Sequence, residues 1–169
     1  MQIDFEPERK KQMRIYTILQ NIKDSDIQFE KAEKNLVIIS YPSETSGPSI
    51  TRSQSIYFKQ DNQWKKTAFS YLDLTEFEFV YLDEDNLPDV IAIRNCCAHI
   101  TVEALLSNNL EQKIESNLSF FEKDFKFKTG KCDDLLIEGF VNRTQRVTKY
   151  TFDCKEKKFR EIKSFWKFF

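Results

Sequence analysis

Glycine is scarce in this chain, with three among 169 residues against sixteen phenylalanines. That scarcity leaves no glycine-rich phosphate cradle and no nucleophile elbow. One histidine, His99, stands alone, and no Cys-x-x-Cys pair sets up a tetrahedral zinc site. An excess of charge is missing too. Lys and Arg number 26, Asp and Glu 27, and the net charge of -1 gives no global field that would draw the chain to nucleic acid or an anionic surface. Apolar runs are short, as in "LVII", so nothing spans a bilayer as a helix, and the first twenty residues are too charged for a secretion signal. These absences imply no transmembrane segment, no nucleic-acid partner and no common enzyme class. Met1 is then either a true start, which places the protein in the cytoplasm, or the scar of a removed leader, which places it in the periplasm or envelope.

What is present argues for a β-rich domain. The length suits a single domain over 1–169, enough to bury a sizeable core. In "PERKKQMRIYTILQNIKD" the apolar residues Met13, Ile15, Tyr16, Ile18, Leu19 and Ile22 recur at three- and four-residue spacing behind Pro7, which predicts an amphipathic helix over 7–23. From 34 to 169 the pattern changes to mainly antiparallel strands. "NLVIISY" is short and β-branched, and "PSETSGPS" is a loop. Three segments each read as two strands around a polar turn: "SIYFKQDNQWKKTAF", "FKFKTGKCDDLLIEGF" and "KYTFDCKEKKFREIK". A fourth hairpin joins "EFEFVYL" to "DVIAIRN". Residues 103–120 are ambiguous, because Leu106, Leu110 and Ile114 suit a helix face that Asn108 and Asn109 interrupt. The expected architecture is α+β and predominantly β: a meander, or a partly open barrel or sandwich of hairpins, with an N-terminal helix.

The fourth hairpin carries the densest chemistry. From Tyr71 to Asp89 there are seven carboxylates and no lysine or arginine, and such a run must be solvated, paired or metal-bound to offset its self-repulsion. Calcium loops meet that need by wrapping alternate oxygen ligands around a hard cation. Asp83, Asp85 and Asp89 fall at the third, fifth and ninth places of such a frame, with the Leu87 carbonyl at the seventh.

"YLDEDNLPDVIAI" resembles the calcium loop of FG-GAP or VCBS-type repeats, in which "D-x-N-x-D-G-x-x-D" precedes a hydrophobic strand. More weakly, "RNCC" and "TFDCKEKKFREI" resemble segments of small bacterial envelope proteins that carry one such loop. The resemblance implies a β scaffold and calcium held by Asp83, Asp85 and Asp89. The chain departs from the pattern at the first place, which holds Tyr81, and at the glycine place, which holds Asn86. Ala92 at the twelfth place rules out an EF-hand. A turn that keeps this shape without an ion is the alternative.

Other constellations are weaker. Cys96, Cys97, Cys132 and Cys154 are disulfide candidates with three possible connectivities; in a reducing compartment they are small buried hydrophobes. Cys97 and His99 are too far apart on one strand face to make a catalytic pair. "KEKKFREIKSFWKFF" interleaves lysine with aromatics, either as a surface for an acidic partner, nucleic acid or membrane, or as an edge strand whose lysines deter aggregation. The resulting expectation is a non-enzymatic bacterial inhibitor or immunity-type protein. Its acidic surface, formed by Glu78, Asp83, Glu84, Asp85 and Asp89, would meet a basic toxin or lytic enzyme. A calcium-stabilised envelope module is the second reading, and a carboxylate hydrolase the third.

Overall fold

The computed structural model describes residues 27–33, 35–43, 52–61, 63–72, 75–96, 99–121, 125–140 and 146–166. The helix expected over 7–23 lies outside them. The described residues are predominantly strand, arranged in three antiparallel four-stranded sheets, each a meander with its strands in sequence order. The backbone gathers into two compact units, Met1–Asp73 and Leu74–Phe169.

The first unit holds β1 (Gln28–Glu33), β2 (Leu36–Pro42), β3 (Arg52–Gln60) and β4 (Gln63–Leu72). Alternation sends Val37 and Ile39 to one face of the sheet and Leu36 and Ile38 to the other, yet all four are fully buried. A continuous apolar run, rather than an alternating one, is what a strand covered on both faces requires. Val37, Ile39 and Tyr57 cluster with Ile27, Ala32 and Trp64. Each fully buried aliphatic side chain of this kind contributes about 1.5–3 kcal/mol. The β3–β4 hairpin turns at Asp61, whose φ of 50° is the left-handed conformation that Asp tolerates in a tight turn.

The second unit pairs two sheets. One is β5 (Thr75–Val80), β6 (Asp89–Cys96), β7 (His99–Leu105) and β8 (Lys113–Phe121); the other is β9 (Lys126–Lys128), β10 (Leu136–Phe140), β11 (Arg146–Asp153) and β12 (Lys158–Trp166). Their shared core joins Leu82, Ile91, Val102, Ala104 and Phe120 of the first sheet and its loops to Leu135, Ile137, Tyr150 and Phe152 of the second. Phe120 meets Tyr150 edge-on at 5.9 Å between centroids. Gly139 makes this approach possible, because a Cβ there would stand 2.8 Å from Phe120 Cδ1.

The four expected hairpins form as β3–β4, β5–β6, β9–β10 and β11–β12. Residues 103–120, weighed as a helix, instead complete β7, turn, and enter β8. Leu106 enters the core, Ile114 packs against it, and the two asparagines that interrupt the helical pattern occupy the turn. Short-range polar chemistry at Ser107–Asn109 outweighed the leucine spacing.

Candidate functional site: the acidic turn of the second unit

The β5–β6 turn runs from Tyr81 to Pro88 and closes where Val80 pairs with Asp89. Asp89 is fully buried and spends both carboxylate oxygens on backbone amides. Oδ2 accepts from Leu82 N at 2.7 Å and Oδ1 from Ser107 N at 2.8 Å. One side chain thus ties the two arms of its own turn together and fastens them to the end of β7. Burial pushes the Asp89 carboxyl up to about 6, against the two amides that favour its ionised form and with Asp83 and Asp85 adding repulsion.

The outer part of the turn is ordered by its own carboxylates. Asp83 Oδ1 accepts from Asp85 N at 3.2 Å, and Asp85 Oδ1 from Leu87 N at 2.8 Å, two successive Asx turns. Asn86 at the crest takes φ 57°, the left-handed conformation that the glycine place of the loop frame requires. From the β7–β8 turn, Ser107 Oγ donates to Asp85 Oδ2 at 3.0 Å and Asn108 Nδ2 to Asp83 Oδ2 at 2.6 Å. Desolvation raises the Asp83 carboxyl above its ordinary value, with Asp85 adding to the rise through its side chain and Lys157 opposing it. Glu84 and Asp85 are exposed, whereas Glu78 lies back on β5, half-buried, opposite Ile91.

Two further segments converge on this end of the unit. Lys157, at φ 47° in the β11–β12 turn, places Nζ 4.0 Å from Asp83 Oδ2. Tyr81, at the first ligand place, forms a parallel bridge with Lys131, whose Nζ lies 5.7 Å from the Tyr81 ring centroid. Cys132, next to Lys131, is bonded to Cys154 at the start of the turn that bears Lys157, with 5.4 Å between the Cα atoms. Gly130 opens the same segment, where a Cβ would stand 2.5 Å from the Asp134 carbonyl carbon. Of the four candidate cysteines, therefore, Cys132 and Cys154 pair. Cys96 ends β6, and Cys97 lies outside the described residues.

The expected carboxylates are thus gathered in one turn but turned to different tasks. Asp89 faces inward to backbone amides, while Asp83 and Asp85 face Ser107 and Asn108. Among the described residues, no three His, Cys, Asp or Glu side chains come together as a group that could hold a metal ion. The sequence reading missed Ser107, Asn108, Lys131 and Lys157. The "SNN" at 107–109 is itself a turn signal, but nothing local assigns it to a carboxylate more than twenty positions away. The chain matches no family model, and neither curated proteins nor solved structures provide a relative of it.

Proposed function

We propose that the protein is a non-enzymatic binding protein of bacterial inhibitor or immunity type, which sets the acidic β5–β6 turn against a basic toxin or lytic enzyme. The observation that carries this reading is that Glu84 and Asp85 stand exposed on a turn already fixed by six side-chain hydrogen bonds, two each to Asp89, Asp85 and Asp83. A prearranged acidic tip loses little conformational freedom on docking, and its charge speeds encounter with a cationic cleft. The Cys132–Cys154 disulfide supports a place in an oxidising compartment such as the periplasm or envelope.

Inhibitors are commonly encoded beside their targets, so the probe is the product of the neighbouring reading frame. Binding and inhibition that Glu84→Lys with Asp85→Lys abolishes, and that a chelator leaves unchanged, support the proposal. Binding indifferent to that charge reversal sinks it, as does turnover of a glycan panel that Asp83→Asn removes.

The left-handed Asn86 and the adjacent Asp83 and Asp85 favour a second reading, a calcium-stabilised envelope module of FG-GAP-like type. Its test is thermal unfolding in calcium and in chelator, since a bound ion stabilises by mass action. A rise in melting temperature that Asp85→Asn removes supports calcium. Coincident curves reject it.

A further inference from the structure

The outer face of the β9–β12 sheet, turned away from the shared core, carries a second charge pattern. Register places Lys126, Glu138, Lys149 and Lys163 in one row across all four strands, about 14 Å wide at ordinary strand spacing. Two residues further along their strands, on the same face, stand Lys128 and Thr151, and Thr151 is opposed by Arg160. Arg160 and Lys163 share a face despite their odd separation because the pairing skips Ile162: Lys149 opposes Lys163 and Tyr150 opposes Glu161. That bulge turns Lys163 outward, where regular pairing would point it at the core.

With Asp153 and Lys158, which oppose each other on the same face, six cations face two carboxylates. Glu138 holds Lys149 at 2.6 Å and Lys126 at 3.8 Å, and Asp153 lies 3.6 Å from Arg160. Lys128 and Lys163 are exposed and have no anionic partner among the described residues. The same strand also exposes apolar side chains. Among the described residues the exposed large hydrophobics are Leu72, Ile162 and Phe165, and the last two, at 55% and 37%, both lie on β12. Lys149 Nζ lies 5.9 Å from the Phe165 ring centroid.

Lysines that merely guard a sheet edge would not require Lys149 on an inner strand, nor would they leave Ile162 and Phe165 uncovered beside them. We infer that this face docks peripherally on an anionic lipid bilayer, with the cations meeting headgroups and Ile162 and Phe165 entering the interface. A basic sheet face with an aliphatic and an aromatic anchor on its edge strand suits a bilayer surface. A single-stranded nucleic acid would instead call for successive aromatic platforms, and Phe165 is the one exposed aromatic among these anchors. This surface is separate from the acidic turn and does not rest on its proposed role.

The test is co-sedimentation of the full chain with vesicles of phosphatidylcholine, with and without phosphatidylglycerol. The expected result is binding to the anionic vesicles alone, reversed by salt. Lys128→Gln with Lys163→Gln should weaken it about 25-fold, roughly fivefold per charge removed. Ile162→Ser with Phe165→Ser should weaken it too, and the lysine variant should keep the wild-type melting temperature, since Lys128 and Lys163 are exposed. Glu84→Lys with Asp85→Lys should leave vesicle binding in place, which separates this surface from the acidic turn. No binding to anionic vesicles overturns the inference, as does binding unchanged by the lysine substitutions. Retention on single-stranded DNA or heparin without vesicle binding overturns it also, and reassigns the face to that polyanion.

Discussion

Asp89 and Asp153 make the same kind of bond at two hairpins of one unit, and their surroundings reverse its consequence. Each carboxylate accepts two backbone amides: Asp89 from Leu82 and Ser107, Asp153 from Lys155 and Glu156. Asp153 stands half-buried at the rim, and its amides hold it below the ordinary carboxylate value. Asp89 is buried among Val80, Leu82 and Val90, and burial lifts it to about 6. The amides are common to both sites, so the sign is set by the deeper desolvation of Asp89 and by the neighbouring charges, Asp83 and Asp85 at one site and Arg160 and Lys158 at the other.

Truncation should separate the two most sharply. Asp89→Ala strands two buried amides, at about 1–3 kcal/mol each, and should cost about 4 kcal/mol in urea unfolding. Asp153→Ala, whose amides water can reach, should fall within the scatter of surface substitutions. Equal losses would mean that burial does not set the difference.

Reducing the disulfide tests whether the rim is held from outside the acidic turn. Cys132 and Cys154 lie 22 positions apart, and opening that loop should cost about 3 kcal/mol. Chemical unfolding with and without a thiol reductant measures it. An unchanged midpoint would leave Lys131 and Lys157 positioned by packing alone.

pH sharpens the comparison through opposite signs. Folded Asp89 keeps a proton that the unfolded chain releases between the ordinary value of 3.8 and about 6. Its contribution is therefore full below pH 3.8 and lost as pH rises through about 6, a change of about 3 kcal/mol. Asp153, with its lowered value, contributes above the ordinary carboxyl range and loses that contribution as pH falls. Urea midpoints between pH 4 and pH 7 for wild type and Asp89→Asn read the first effect; a constant difference between the two proteins would remove it.

A smaller effect than truncation of Asp89 is expected away from both carboxylates. Gly139→Ala forces a methyl against Phe120 and should cost about 1–3 kcal/mol by overpacking, measured as a lower melting temperature. A neutral result would mean that the two sheets separate at little cost.

Much of the fold was legible because hairpins are local. Alternating aromatic and β-branched residues around Asp61, around Asp83–Asn86 and around Cys154–Lys157 identified three turns, and in each a non-glycine residue takes positive φ. The segment 103–120 was harder, since leucines at helical spacing competed with "SNN". The candidate site was half legible. The sequence places its carboxylates together in one turn, but not the direction each takes: Asp89 turns inward to two backbone amides, while Asp83 and Asp85 face the β7–β8 turn.

By itself the sequence determined the predominance of strand, the places of the hairpins and the concentration of acid between Tyr71 and Asp89, because side-chain alternation and turn chemistry act over a few residues. The tertiary structure alone decided which cysteines pair, which carboxylate is buried and which donors answer the other two. It also decided that a skipped residue at Ile162 aligns Arg160 and Lys163 on one face. Each of these depends on groups brought together from distant positions, and no local pattern encodes the water that their meeting excludes.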